Sequence, residues 1–157
     1  MTQSIDITPE LEGQPPVHLD ALFWLAVACG LLVASGIRAF VPATALPTED
    51  LTIQLLVSSV VLYPLLEELV FRGALQGWLF SHPLGRVSWC GISVANLATT
   101  FVFTSLHFSS HEALWAASVL VPSLVFGFFR DRHRSLYPGI ALHAFYNLSF
   151  VLVVVPG

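Results

Sequence analysis

The sequence predicts an all-α protein: a polytopic membrane helix bundle of about five transmembrane segments. Three observations predict it. Of 157 residues, 55% are hydrophobic and only 10% charged, where a soluble domain carries about 25% charged residues. The mean hydropathy is +0.78. The apolar residues fall into five long runs separated by short polar turns. So few charges cannot cover a soluble surface, and the same composition excludes disorder. The net charge of −4 and the absence of lysine exclude a nucleic-acid binder, which needs clustered positive charge.

Residues 1–19 read as a polar tail. They hold Asp6, Glu10, Glu12, the adjacent Pro15 and Pro16, and no Lys or Arg. The tail lacks the positive region that opens a signal peptide. Residues 20–157 are expected to form one transmembrane domain. The first run, Ala21 to Val41, rises about 1.5 Å per residue and can cross a hydrocarbon core of about 30 Å. The turn-like PATALPTED follows. The second run, Leu51 to Phe80, contains Glu67, Glu68 and Arg72. It is too long for one straight span. Pro64 removes a backbone donor and is expected to kink or divide it near residue 60. After SHPLGR come the third run, Val87 to Phe108, and the fourth, Ala113 to Phe129, separated by Ser109 to Glu112. The fifth, Leu136 to Val155, opens with Pro138, which suits the start of a helix, and stops at Pro156-Gly157. Cys29 and Cys90 match no metal or redox spacing and read as small packing residues in apolar stretches.

Five crossings put the termini on opposite sides. Arg130, Arg132 and Arg134 form the one dense basic cluster and place the loop after the fourth run in the cytoplasm. Alternation then puts Arg86 and the N-terminus inside as well, with Trp24, Trp78, Trp89 and Tyr137 near the inner interface. Arg38 is the exception.

Ionisable groups within apolar spans cost about 2.5–3.5 kcal/mol each on insertion scales, which makes them functional candidates. Glu68 and Arg72 stand at i,i+4 and can pair on one helix face. Glu67 points about 100° away and lacks that partner; such a carboxylate can serve as a general base. Asn96, Thr99 or Thr100, Phe103 and His107 follow a 3–4 residue spacing and form a polar stripe toward a bundle interior. His143 and Asn147 share a face at i,i+4, and both can donate to an oxyanion. The hairpin joining the second and third runs brings Glu67, Glu68 and His107 to similar depths. His143, near the start of its span, matches that depth less well. His111 and Glu112 read as exposed. His18, His82 and His133 flank spans and need no catalytic explanation.

The order Glu67-Glu68-x-x-x-Arg72, Phe103-x-x-x-His107 and His143-x-x-x-Asn147, each in an apolar segment, resembles the CPBP family: the type II CAAX prenyl endopeptidases and their bacterial Abi-type relatives. The resemblance runs from about Leu51 to Val155. It implies a glutamate-dependent intramembrane protease that needs no cofactor or metal and acts on a membrane-associated protein or peptide. It also implies that Glu67 activates water with help from His107. Glu68 and Arg72 would organise the site, and His143 and Asn147 would stabilise the oxyanion. The small number of spans is similar to that of the short myxosortase-like, JDVT-CTERM-type bacterial members linked to C-terminal sorting signals. The expected setting is a bacterial inner membrane.

Three other readings use the same residues. Glu67, Glu68, His107 and His143 could bind zinc, although no HExxH pair is present. Acid and histidine chains also mark ion or proton pathways, although the two halves show no repeat of the transporter kind. A non-catalytic membrane partner of the immunity type is the third.

Overall fold

The computed structural model describes residues 14–42 and 52–154. The first part of the expected tail, most of the PATALPTED turn and the closing Pro156-Gly157 lie outside those residues. The described residues are almost wholly helical: α1 is Ala21–Phe40, α2 Ile53–Ser81, α3 Val94–His107, α4 Ala113–His133 and α5 Tyr137–Val153. All five apolar runs become helices. Three of them, α1, α2 and α4, are long and apolar enough to cross a membrane.

Local chemistry sets the helix starts. Asp20 accepts from the Leu22 N–H at 3.0 Å, Thr52 from Leu55 at 3.1 Å and Ser93 from Asn96 at 3.0 Å. Each is the side-chain cap that an unpaired first turn requires. Pro138 sits in the first turn of α5, where its missing donor costs nothing.

Two expectations are corrected. The third run was expected to be helical from Val87, but α3 begins only at Val94. Ser88–Trp89 and Ile92–Ser93 pair instead as a two-stranded antiparallel hairpin. Its turn places Cys90 at φ 51° and Gly91 at φ 79°, a backbone that ends a helix and that glycine adopts without strain. Cys90 is therefore an exposed turn residue, and Cys29 lies exposed on α1; neither packs in the interior. The second run is not divided by Pro64. It is one continuous helix with a π-helical stretch over Val57–Leu62, where the Tyr63 N–H reaches back to the Ser58 carbonyl. The wider turn accommodates a residue that lacks a donor and whose ring crowds the carbonyl four residues back. A second π-helical stretch covers Glu68–Gln76.

Side-chain contacts fix the helix directions. Arg72 bonds Ser123, Gln76 bonds Gly127, and the Arg130 guanidinium lies 5.4 Å from the Phe80 ring centroid. Numbers rise together, so α2 and α4 run parallel. Tyr146 donates to the Ala26 carbonyl, and Ala34 packs with Val154, so α1 and α5 are also parallel. Phe23 meets Phe129, Thr100 meets Ser123, and Asn147 meets Ser59; these pairs run opposite ways. The five helices therefore alternate in direction along the chain.

The interior is inverted relative to a soluble protein. Glu68, Arg72, Gln76, Asn96, Thr99, Thr100, Ser123 and His143 are buried, while Leu32, Val33, Phe101 and Val121 are exposed on the outside. Lipid tails are as apolar as leucine, so apolar side chains can face outward and polar groups are satisfied inward. The chain is an integral membrane protein. Among the described residues the main apolar cluster is small, Phe23, Phe126, Phe129 and Leu142, with Ala34 and Val154 forming a second.

One polar knot ties the ends of α1 and α4. The Asp20 carboxylate accepts from Arg132 Nε at 2.7 Å and from His133 Nε2 at 3.0 Å. His133 thus has a structural task at a helix end. Burial alone would raise the Asp20 carboxyl. The bonds from Arg132, the Leu22 N–H and His133, with the Arg132 charge, hold it below the ordinary carboxylate value. A depressed carboxyl stabilises the fold above its unfolded value of about 3.9, and that stability is lost as pH falls through the folded value. Thermal unfolding in detergent is expected to show acid destabilisation below about pH 4. Asp20→Asn is expected to lose about 1–3 kcal/mol at neutral pH and part of that acid dependence. An unchanged pH profile in Asp20→Asn would show that the knot is not an ion pair in solution.

Candidate active site

The site is built on α2, where the second π-helical stretch matters most. Glu68, Arg72 and Gln76, spaced four residues apart through this stretch, form one stripe, and all three are fully buried. Sequence reading found the first two; Gln76 extends their spacing by another four residues.

Glu68 and Arg72 form the expected pair, with Arg72 Nε 3.5 Å from Glu68 Oε2. The guanidinium also lies between two aromatic faces, 4.8 Å from the Phe103 centroid and 5.7 Å from that of Phe126, which favours a desolvated cation. The other carboxylate oxygen, Glu68 Oε1, accepts from His143 Nδ1 at 3.1 Å. The opposite ring nitrogen, His143 Nε2, lies 3.7 Å from Glu67 Oε2. The imidazole is stacked on Phe126 at 4.8 Å and 20°. His143 therefore stands between the two adjacent carboxylates, one facing each nitrogen. The depth mismatch expected for His143 does not occur. Antiparallel packing of α5 on α2 carries it to the Glu67–Glu68 level.

Glu67 differs from Glu68 as the helix geometry predicts. It is not paired with Arg72, and its side chain keeps 31% of its surface accessible, against none for Glu68. It is the more accessible of the two carboxylates.

His107 approaches the same level. Phe103 packs on Phe71 at 5.0 Å and under Arg72. One turn farther along each antiparallel helix stand His107 on α3 and Glu67 and Glu68 on α2, as the hairpin symmetry predicts. His107 Nδ1 lies 2.9 Å from the Phe103 carbonyl oxygen. A carbonyl can only accept, so Nδ1 carries the proton and Nε2 is left with its lone pair in the neutral ring. Among the described residues no hydrogen bond or ion pair joins His107 to Glu67. Phe103 stands between the two histidines, its ring centroid 4.4 Å from that of His107 and 6.3 Å from that of His143. His111 stacks on His107 at 5.5 Å and, with Glu112, is exposed as expected.

Asn147 is one turn beyond His143 on α5. Its Nδ2 donates to the Ser59 carbonyl at 2.8 Å, within the first π-helical stretch of α2. One amide hydrogen is thus committed to holding the helices together, and the second is left. The polar stripe on α3 is buried as expected, at Asn96, Thr99, Thr100 and Phe103. Sequence reading missed its partner on α4, Ser123, which is fully buried. A lone serine in an apolar run was the only signal. Among the described residues no three His, Cys, Asp or Glu side chains are grouped so as to hold a metal ion.

Gly139 closes the site from α5. A Cβ there would lie 2.8 Å from Glu68 Oε2, inside normal contact. Gly139→Ala is expected to push the carboxylate off His143 and cost about 1–3 kcal/mol of stability. It should also lose activity well beyond what the lost folded fraction explains. Activity that only tracks the folded fraction would count against a working role for the Glu68–His143 contact.

The six residues Glu67, Glu68, Arg72, His107, His143 and Asn147 all fall within residues 49–149, which match the family model for Type II CAAX prenyl endopeptidase Rce1-like. Comparison with curated proteins and with solved structures found no match. The family match spans nearly two thirds of the chain. The chain belongs to the Rce1-like family of type II CAAX prenyl endopeptidases and is an intramembrane protease.

Proposed function

We propose that this protease works by a glutamate-dependent, metal-independent hydrolysis centred on Glu67. The observation that carries the proposal is the imidazole of His143 held between two carboxylates of unequal exposure. Glu68, fully buried and paired with Arg72, accepts the Nδ1 proton and sets the ring's orientation. Glu67, the accessible carboxylate, takes a proton from a water molecule as that water attacks the peptide carbonyl carbon. The carbonyl oxygen becomes an oxyanion. His143, in its imidazolium form with a proton on each nitrogen, donates to it from Nε2, and so does the free amide hydrogen of Asn147. When the C–N bond breaks, Glu67 returns its proton to the leaving amine. His107, through its Nε2 lone pair, assists at the water. A chain of acids and histidines for ion transport needs no donor pair of the His143–Asn147 kind, so hydrolysis accounts for more of the site.

The substrate in this reading is the C-terminal part of a membrane-associated protein, such as a sorting signal. Comparing membrane proteomes of wild-type and Glu67→Ala cells is expected to reveal an accumulating precursor. On that precursor, purified Glu67→Gln is expected to lose about 10²–10⁴ in turnover. Asn147→Ala should lose about 10²–10³. Both should leave substrate affinity nearly unchanged, and wild-type activity should persist in a chelator. Near-normal turnover in Glu67→Gln would overturn the assignment of the base.

We also propose a bacterial inner-membrane setting with the N-terminus inside. Arg86, Arg130, Arg132 and Arg134 gather at the end of the bundle that holds the hairpin, as cytoplasmic basic residues do. The alternating helix directions support opposite sides for the ends of the domain. The exposed Cys90 at the hairpin tip gives a direct test. In Cys29→Ser protein, a membrane-impermeant maleimide is expected to label Cys90 in inside-out vesicles and not in intact spheroplasts. The reverse pattern would invert the topology.

A further inference from the structure

The ion pair at the centre of the site has an unexpected weakness. Glu68 Oε2 and Arg72 Nε are 3.5 Å apart, and neither atom has a hydrogen-bond partner among the described residues. The attraction between them is therefore Coulombic, and it does not orient the guanidinium. The directional bonds of Arg72 go elsewhere. Its Nη2 donates to Ser123 Oγ at 2.8 Å and to the Ser123 carbonyl at 3.0 Å, both buried.

The Ser123 hydroxyl is itself given a direction. It donates to Thr100 Oγ1 at 3.0 Å, and Thr100 donates to Asn96 Oδ1 at 3.2 Å. Asn96 cannot reverse the sequence, because its Nδ2 donates to the Leu124 carbonyl at 3.0 Å. An amide flip would set its oxygen against that carbonyl. Gly127 makes room: a Cβ there would overlap the Asn96 amide. Every proton in the row points away from Arg72. Ser123 Oγ is left with its lone pairs toward the guanidinium, as an acceptor.

We propose that Ser123 is a positioning residue for the protease site. It fixes the Arg72 guanidinium beside Glu68, and Thr100 and Asn96 fix the sense of its hydroxyl. Arg72 so held keeps Glu68 turned to His143. The inference rests on the reading of Glu68 and His143 given above, but its first test does not require that reading. Full-length protein labelled with [15N]arginine in detergent micelles gives guanidinium NMR signals, and Arg72 is assigned by the signal lost in Arg72→Lys. In the wild type, the two Nη groups of Arg72 are expected to be resolved, with slow rotation and slow hydrogen exchange. Ser123→Ala and Thr100→Val should each collapse that pattern and speed exchange about tenfold or more. Ser123→Thr, which keeps the hydroxyl, should restore it.

The second readout is processing of the precursor defined by Glu67→Ala. Ser123→Ala should lower kcat about tenfold with KM little changed, and Ser123→Thr should recover most of it. An unchanged Arg72 signal in both Ser123→Ala and Thr100→Val overturns the positioning role. So does an equal kcat loss in Ser123→Ala and Ser123→Thr, which would mark a packing effect. Failure of the catalytic reading of the carboxylates looks different: Glu67→Gln then keeps near-normal turnover while the Arg72 signals still respond to Ser123. Where Ser123→Ala does not yield folded protein, Thr100→Val decides the same question from one bond farther away.

Discussion

A guanidinium and a carboxylate with no solvent exposure, inside an apolar bundle, set the terms for the rest of this structure. Neither Arg72 nor Glu68 retains any accessible surface. Taking such ions out of water costs several kcal/mol each even after relaxation, and a Coulombic contact at 3.5 Å does not by itself offset that. The surrounding residues supply the remainder. Ser123 offers two oxygens, Phe103 and Phe126 offer ring faces, and His143 donates to Glu68. The cost of leaving any of these groups unpaired in lipid keeps the four helices α2, α3, α4 and α5 in register. The apolar core, four buried side chains in its main cluster, is small beside this polar one.

The same constraint runs along the irregular backbone of α2. Within its second π-helical stretch, Arg72 and Gln76 bond Ser123 and Gly127 of α4 at the same four-residue spacing, while Glu68 turns to His143 of α5. Parallel helices with matched spacing can repeat a contact each turn. The small residues at the receiving positions let the long polar side chains lie between the backbones. Gly139 does the same service on the opposite side of Glu68.

Much of this was legible in the residues. The apolar runs marked all five helices, and the i,i+4 spacing marked the Glu68–Arg72 pair and left Glu67 apart. The stripe on α3 was visible as a period of three to four. What was not legible has physical reasons. Val87, Trp89 and Ile92 count as apolar in any window, so a turn through Cys90 and Gly91 was hidden inside an apolar run. The rise along one helix axis carries no information about the register between helices, so the depth of His143 was misjudged. Ser123 meets Arg72 across 51 positions in sequence, and a single serine has no period. The π-helical turns follow from tertiary contacts that the local sequence of α2 does not contain.

The shortness of α3 bears on the proposed role of Glu67. Fourteen residues rise about 21 Å, roughly 9 Å less than a hydrocarbon core of about 30 Å. Ser93 at its start is bonded to Asp131, in the arginine-rich end of the bundle, so that end sits at the interface. The other end, at His107, then stops short of the opposite surface. The segment that follows is polar and exposed: Ser109, Ser110, His111 and Glu112. Polar groups at membrane depth are tolerated where they line water-filled space. In the proposed mechanism, this shortened helix with its polar cap is the route by which solvent would come to His107 and the exposed edge of Glu67, with Glu68 and Arg72 buried behind it. The hydrolysis proposed for Glu67 uses that division, with the accessible carboxylate acting on water and its buried neighbour held by Arg72.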